Sequence, residues 1–132
     1  MNPARVLIVD DNPVNLKLAA SVLEFAGYEI LAAGDAIQAL EIIRDTPPDL
    51  ILMDLGLPGM DGLTLTRRLK ADEATRHIRI VALTAYAMKG DDERARAAGC
   101  DGYIPKPIDT RKLPKQVAET LEQCSEKNER LS

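Results

Sequence analysis

Three aspartates, a threonine and a lysine stand where short apolar runs of the chain end. Asp10 and Asp11 follow the first run, Asp54 the third, Thr84 the fourth and Lys106 the fifth. If these runs are parallel strands, their carboxyl ends form one edge of a sheet, which is where open α/β sheets bind ligands. The sequence therefore predicts that these five side chains converge on one small site.

A cluster of carboxylates predicts a metal ion, because like charges raise one another's pKa unless a cation joins them. Mg²⁺ suits such a cluster, since it prefers oxygen ligands and usually takes one or two carboxylates together with waters. We predict a Mg²⁺ site with ligands among Asp10, Asp11 and Asp54, and with the backbone carbonyl of Gly56 as a further ligand. Zinc is disfavoured, because no histidine or cysteine stands near these positions.

The same residues could also carry out phosphoryl transfer, because a carboxylate can attack phosphorus to give an acyl phosphate. Asp54 is the best candidate, since it ends the most apolar of the runs. Lys106 would place a point charge against the phosphoryl oxygens, and the Thr84 hydroxyl would donate a hydrogen bond. The chain has no GxxxxGK[ST] loop and no GxGxxG after a strand, so we expect the phosphoryl group to come from a separate donor.

The apolar runs alternate five times with segments of helical periodicity, which predicts βαβ units and a doubly wound parallel sheet. Strands are expected near 5–9, 28–33, 49–54, 78–83 and 101–104. Helices are expected near 13–26, 36–44, 63–71, 88–98 and 110–124. The usual strand order for such a chain is 2-1-3-4-5, which places the acids where the order reverses.

The ends of the helices carry their own signals. Asn12 is expected to cap the first helix, with Pro13 at its first position, and Thr110 is expected to cap the last one. The first helix should bury one face, formed by its apolar side chains Val14, Leu18, Val22, Leu23 and Phe25. We expect residues 1–124 to form the domain and residues 125–132 to form a polar, frayed tail.

Length, composition and charge exclude several classes of protein. The chain has 132 residues, enough for one ordinary domain and too few for two. No apolar run approaches the ~18 residues of a membrane helix, and no signal peptide is recognisable, so we expect a cytoplasmic protein without membrane insertion. A net charge of -4 argues against direct binding to nucleic acid. Cys100 and Cys124 have no metal-binding or redox spacing and should stay reduced.

These motifs resemble the receiver domain of two-component response regulators. In that resemblance Asp10-Asp11 is the acid pair, Asp54 the phospho-acceptor, Thr84-Ala85 the switch hydroxyl and Lys106-Pro107 the lysine-proline pair. The match covers residues 4 to 124 and implies a flavodoxin-like α/β fold with five helices. It also raises the expectation of a cis peptide bond before the proline.

The resemblance implies a signalling function. A histidine kinase or a phosphotransfer protein would donate a phosphoryl group to Asp54, and the receiver would catalyse both this transfer and its own dephosphorylation. Thr84 would then move inward and Tyr103 would rotate behind it. A downstream protein target would bind to the fourth helix, the fifth strand and the fifth helix. The chain is expected to act as a stand-alone receiver, similar to cell-cycle and phosphorelay receivers.

Several alternatives remain open at this point. The Asp10-Asp11 pair alone could stabilise the dipole of the following helix, and Thr84 or Lys106 alone could be an ordinary surface residue. An aspartyl phosphatase would need a second acid where Gly56 stands. A flavin carrier would need an uncharged phosphate loop after the first strand. A module of the same fold that docks without phosphorylation is the main alternative function.

Overall fold

The computed structural model describes residues 4–57, 59–84, 91–106 and 108–131 of the chain. Strands and helices alternate along these residues. The strands are β1 (Arg5–Val9), β2 (Glu29–Ala33), β3 (Leu50–Asp54), β4 (Arg79–Thr84) and β5 (Gly102–Pro105). The helices are α1 (Pro13–Phe25), α2 (Ala36–Asp45), α3 (Gly62–Ala71), α4 (Asp91–Ala98) and α5 (Leu113–Leu131).

The strands form one parallel sheet in the order β2-β1-β3-β4-β5. The predicted fold class and strand order are therefore confirmed. The register places Val9 beside Met53, Asp54 beside Leu83, and Thr84 beside Pro105. All five strands thus end at one edge of the sheet, which we call the carboxyl edge.

The sheet separates two layers of apolar packing, because successive side chains of a strand point to opposite faces. Leu7 and Ile51 face the layer formed by α2 and α3, whereas Ile8 and Leu52 face the layer formed by α1 and α5. Every residue of β3 is buried, as expected of a central strand covered on both faces. The end of β3 is therefore held rigidly by its surroundings.

Helix α1 begins as predicted but buries a different face. Asn12 caps it, since its side chain accepts hydrogen bonds from the backbone of Val14 at 2.9 Å and Asn15 at 3.3 Å. The expected buried face was wrong in part, because Val14, Leu18 and Phe25 are 73%, 44% and 97% exposed. The helix packs instead through the set Leu16, Ala19, Ala20 and Leu23, whose small alanines allow close approach to the sheet.

Helix α5 begins later and ends later than predicted. Asp109 accepts hydrogen bonds from the backbone of Arg111 through its carboxylate and from Lys112 and Leu113 through its carbonyl. Thr110 therefore lies in the turn before the helix and does not cap it. The helix continues to Leu131, past the predicted end near residue 124. The division between a domain and a tail stays a prediction.

Other predicted boundaries agree with the structure within one or two residues. The predicted start of α4 near Met88 and the cis bond before Pro107 lie outside the described residues. None of the helices in the described part of the chain has the length and apolar character needed to span a membrane.

Candidate functional site

Three carboxylates meet at the carboxyl edge of the sheet. Asp10 directly follows β1, and Asp54 is the last residue of β3, its neighbour in the sheet. One carboxylate oxygen from each of Asp10, Asp11 and Asp54 lies within 4.8 Å of the others. Asp10 and Asp54 are buried, whereas Asp11 is exposed at the rim of the cluster. The structure therefore brings together the three acids selected from the sequence.

Asp10 is the most deeply placed of the three acids, with 1% of the residue exposed. Its Oδ1 atom accepts a hydrogen bond from the backbone of Asn12 at 2.9 Å, and its own backbone amide donates to Ala33. Burial raises the pKa of the Asp10 carboxyl, and the bond from Asn12 and the charge of Lys106 only partly offset this effect. The site therefore disfavours the ionised form of Asp10, chiefly through desolvation.

Asp54 is fixed by one hydrogen bond and one charge. Its Oδ1 atom accepts from the backbone amide of Gly56 at 2.9 Å. Its Oδ2 atom lies 3.3 Å from the ammonium nitrogen of Lys106. A carboxylate held in this way presents its oxygens in one orientation.

Lys106 joins two of the acids. Its Nζ atom lies 3.1 Å from Oδ2 of Asp10 as well as close to Asp54, and its side chain is 14% exposed. Burial, the largest single influence, lowers the pKa of the Lys106 amine, but the close pairing with Asp10 and the charge of Asp54 together raise it above its ordinary value. Its backbone amide donates to the carbonyl of Thr84 at 2.6 Å, which ties the lysine to the end of β4.

Thr84 and Tyr103 lie on the two strands beyond β3. Thr84 ends β4 and is buried, one position past Leu83, the residue that pairs with Asp54. Tyr103 lies in β5, where it pairs with Ala82 of β4, and it is partly exposed. Thr84 therefore stands at the carboxyl edge with the acids, whereas Tyr103 lies further back along the sheet.

The donor set of the site fits a hard divalent cation. Oδ2 of Asp10 is buried and has no hydrogen-bond donor of good geometry within the described ranges, although Lys106 lies within ion-pair distance. A buried carboxylate oxygen with spare coordinating capacity, next to two further carboxylates, suits an ion that takes oxygen ligands. The backbone amide of Gly56 donates a hydrogen bond to Asp54. The role of the Gly56 carbonyl as a metal ligand stays a prediction.

Gly62 is a residue of the site that the sequence did not reveal. It begins α3, and a Cβ atom at this position would lie 2.9 Å from Cα of Leu55 and even closer to the carbonyl oxygen of Asp54. Only glycine allows α3 to start this close to the end of β3. The pair Asp61-Gly62 marks only the start of α3, because Asp61 caps this helix by accepting from Thr64 at 2.7 Å, and it does not report the close approach to β3.

The fold and the cluster at the carboxyl edge together define a class of protein. The family model of the response regulator receiver domain matches residues 6–118 of the chain. The chain therefore belongs to the response regulator receiver family of two-component signalling, and it has the function of a receiver.

Its relatives narrow the class further. The chain is 49% identical over 106 residues to the polar-differentiation response regulator DivK of Brucella anthropi, covering 80% of this chain and 86% of that protein. It is 50% identical over 103 residues to DivK of Brucella ovis, covering 78% and 84%. The similarity to these two proteins extends over most of the receiver domain.

Solved structures agree with the fold. A putative response regulator from Chloroflexus aurantiacus superposes with a TM-score of 0.87 at 33% identity, covering 91% of this chain and 98% of that one. The chemotaxis response regulator CheY4 of Vibrio cholerae superposes with a TM-score of 0.84 at 26% identity, covering 89% and 98%. The flavodoxin-like arrangement inferred from the sequence is thus confirmed.

Proposed function

We propose that Asp54 accepts a phosphoryl group from a phosphorylated histidine of a sensor kinase or a phosphotransfer protein. The observation that carries this proposal is the position of Asp54, oriented by Gly56 and facing Lys106 beside two further carboxylates. A carboxylate oxygen of Asp54 forms the new P–O bond as the P–N bond of phosphohistidine breaks. The leaving imidazole nitrogen keeps the bonding electrons and takes up a proton from solvent.

Asp10, Asp11 and Asp54 would hold a Mg²⁺ ion, with the carbonyl of Gly56 as a further ligand. Mg²⁺ supplies positive charge that stabilises the oxygens of the transferred group. Lys106, which directly follows β5, supplies a second positive charge. Its two ion pairs fix its ammonium group in advance of the reaction. Preorganised charge of this kind stabilises a transition state without reorganisation during the reaction.

Thr84 and Tyr103 carry the switch in this proposal. The buried Thr84 stands at the end of β4, where its hydroxyl can move toward a phosphoryl group on Asp54. That movement vacates space behind it, into which the partly exposed Tyr103 can rotate. Phosphorylation thereby shifts the populations of two arrangements of α4, β5 and α5, and a downstream protein target binds to one of them.

The exposed surface of α1 is where we place the phosphoryl donor. Val14, Leu18, Ser21 and Phe25 recur at helical spacing and form a solvent-facing row, which we call the α1 stripe. An exposed row that is mostly apolar, with Ser21 as its one polar member, indicates a protein-binding site. Because α1 begins at Pro13, two residues after Asp11, a helix packed on this stripe can reach the acids. The cytoplasmic location and the lack of direct nucleic-acid binding stay predictions.

The test is phosphorylation by acetyl phosphate, read by the intact mass of the protein with and without Mg²⁺. We expect the gain of one phosphoryl group that needs Mg²⁺ and is absent from Asp54→Asn. Asp49→Asn is the matched control, because Asp49 flanks the opposite end of the same strand and should leave phosphorylation unchanged. If neither acetyl phosphate nor beryllofluoride modifies the wild-type protein, the chain acts instead as a docking module independent of phosphorylation.

A further inference from the structure

A polar cavity of about 230 Å³ lies between β5 and α5, on the side of the sheet where we place the target. Its walls are Val81, Asp101, Gly102, Tyr103, Ile104, Gln116, Glu119 and Thr120. We call it the β5–α5 cavity. Since β5 is the last strand of the described sheet, its outer edge is not covered by another of these strands.

One of the residues that line this cavity has a buried oxygen without a donor. Oε1 of Gln116 is buried and has no hydrogen-bond partner in the part of the chain that the structure describes. The backbone of Gln116 is satisfied, because its amide donates to Lys112 at 2.9 Å and its carbonyl accepts from the Thr120 hydroxyl at 3.0 Å. A buried acceptor without a donor destabilises a fold, so in a native protein it calls for an explanation, such as a partner group that supplies the donor when it binds.

The charges around this oxygen are negative. Glu119 lies one position from Thr120 on the same wall and has no ion pair with any residue within the described ranges. Asp101 also lines the cavity, but its Oδ2 atom already accepts from Lys70 at 3.0 Å and from the backbone of Ile80 at 2.9 Å. The cavity therefore presents two acceptors to a ligand, the buried amide oxygen of Gln116 and the solvent-exposed carboxylate of Glu119.

We propose that the β5–α5 cavity receives an arginine side chain of the downstream target. A guanidinium group carries several N–H donors in a rigid plane, so one arginine can donate to Gln116 and pair with Glu119 at the same time. This inference rests on the proposed function, because it assigns the chemistry of the partner on the α4-β5-α5 side. Tyr103 lines the same cavity, so its rotation on phosphorylation enlarges the space open to the arginine.

The test is a titration of the ¹⁵N-labelled protein with N-acetyl-arginine amide, with and without beryllofluoride. We expect saturable shifts of the backbone signals of Gly102, Tyr103 and Gln116, with several-fold tighter binding in the beryllofluoride form. N-acetyl-citrulline amide, which has nearly the same shape without the charge, should bind at least several-fold more weakly. Citrulline shifts equal to those of arginine, or no saturable shift in either form, would overturn the proposal.

Variants separate this site from general effects of charge. Glu119→Gln should weaken arginine binding several-fold, whereas the matched control Glu122→Gln, on the same helix but outside the cavity, should leave it unchanged. Gln116→Leu should abolish the tighter binding while the protein keeps its urea midpoint, because the variant removes a buried acceptor that has no donor. Binding that survives both Glu119→Gln and Gln116→Leu would contradict the assignment.

The same titration distinguishes the two proposals. Whether beryllofluoride binds is read separately, from the signals around Asp54. If beryllofluoride does not bind, the phosphorylation proposal fails, and arginine binding by the free protein still decides the chemistry of the cavity. If beryllofluoride binds and arginine causes no local shift, only the cavity proposal fails.

Discussion

Lys106 places its ammonium nitrogen 3.3 Å from a carboxylate oxygen of Asp54, so the end of β5 supplies the charge that faces the end of β3. The same nitrogen lies 3.1 Å from Asp10. Because the lysine is anchored on both acids before any phosphoryl group arrives, its charge is in place when negative charge develops on the transferred group. The contribution of Lys106 should therefore appear in the rate of phosphorylation.

The first prediction concerns this lysine. Lys106→Met should lower the rate of phosphorylation by acetyl phosphate by about 100-fold, which is the size of effect that the loss of one preorganised donor has in enzymes. The rate is measured by intact mass at saturating Mg²⁺. Lys112→Met, which removes an exposed lysine that forms no ion pair with Asp10 or Asp54, is the control and should react like the wild type. An unchanged rate in Lys106→Met would remove Lys106 from the mechanism.

The second prediction concerns Asp10 and the metal. Without Mg²⁺, Asp10→Asn should stabilise the protein by about 1 kcal/mol, because it removes a carboxylate whose charge is disfavoured by burial, keeps an oxygen for the amide of Asn12 and leaves Lys106 paired with Asp54. Mg²⁺ should stabilise the wild type by about 2.7 kcal/mol at one hundred times its Kd, and the variant clearly less. Urea unfolding in chelator and in Mg²⁺ measures both effects.

Asp49→Asn serves as the control for Asp10→Asn, since Asp49 flanks the opposite end of β3. Its response to Mg²⁺ should equal that of the wild type. Equal stabilisation of Asp10→Asn and the wild type by Mg²⁺ would show that Asp10 is not a ligand.

The third prediction concerns the start of α3. Gly62→Ala should destabilise the protein by about 1–3 kcal/mol, because the added methyl group overlaps the backbone of Asp54 and Leu55. The rate of phosphorylation should also fall, since the end of β3 must shift. Gly34→Ala is the control, because its Cβ would come no nearer than 3.5 Å to Gln38 and the backbone is not strained there. Equal stability of the two variants would contradict the close approach.

Much of this site could be predicted because the carboxyl ends of all strands in a parallel sheet lie at the same edge. Asp10 and Asp54 each follow an apolar run, and the strand order alone then places them side by side. The position of Lys106 followed in the same way from the last run. No detailed packing was needed, since the register of a parallel sheet determines which ends are neighbours.

The rest could not be predicted, because it depends on contacts between elements distant in sequence. Gly62 matters only because α3 enters against the backbone of β3, and no local pattern reports that approach. Helix α1 carries two apolar rows, and small Ala19 packs on the sheet in place of larger Leu18. Periodicity identifies such rows but does not decide which of them faces the core.

The fourth prediction concerns pH and the cap of α3. The hydrogen bond from Thr64 lowers the pKa of the Asp61 carboxyl, so its stabilising effect is complete above the ordinary carboxyl pKa and is lost as pH falls through the lowered one. Asp61→Ala should destabilise the protein by about 1 kcal/mol at neutral pH. The difference from the wild type should shrink near pH 3, as measured by urea unfolding.

Asp45→Ala is the matched control for the cap, because Asp45 ends α2 and caps no helix start. Its effect should stay within about 0.5 kcal/mol. A difference between Asp61→Ala and the wild type that is the same at both pH values would show that the charge of Asp61 is not involved.

The fifth prediction concerns the α1 stripe. Leu18→Glu should slow phosphoryl transfer from a phosphorylated donor protein at least 10-fold, because a charge in a desolvated contact costs more than ~1.4 kcal/mol, the equivalent of that factor. Transfer from acetyl phosphate, which needs no docking surface, should keep its wild-type rate. The two rates are measured side by side, with the donor chosen by screening the sensor kinases and phosphotransfer proteins of the host.

Ile37→Glu is the matched control for the stripe. Ile37 is 69% exposed on α2, so the substitution adds the same charge to an apolar surface residue away from α1. Transfer to this variant should be as fast as to the wild type from both donors. If Leu18→Glu and Ile37→Glu lose protein-donor transfer equally, the effect is one of overall charge and α1 is not the docking surface. If Leu18→Glu also loses reaction with acetyl phosphate, the substitution has disturbed the acids that precede the helix.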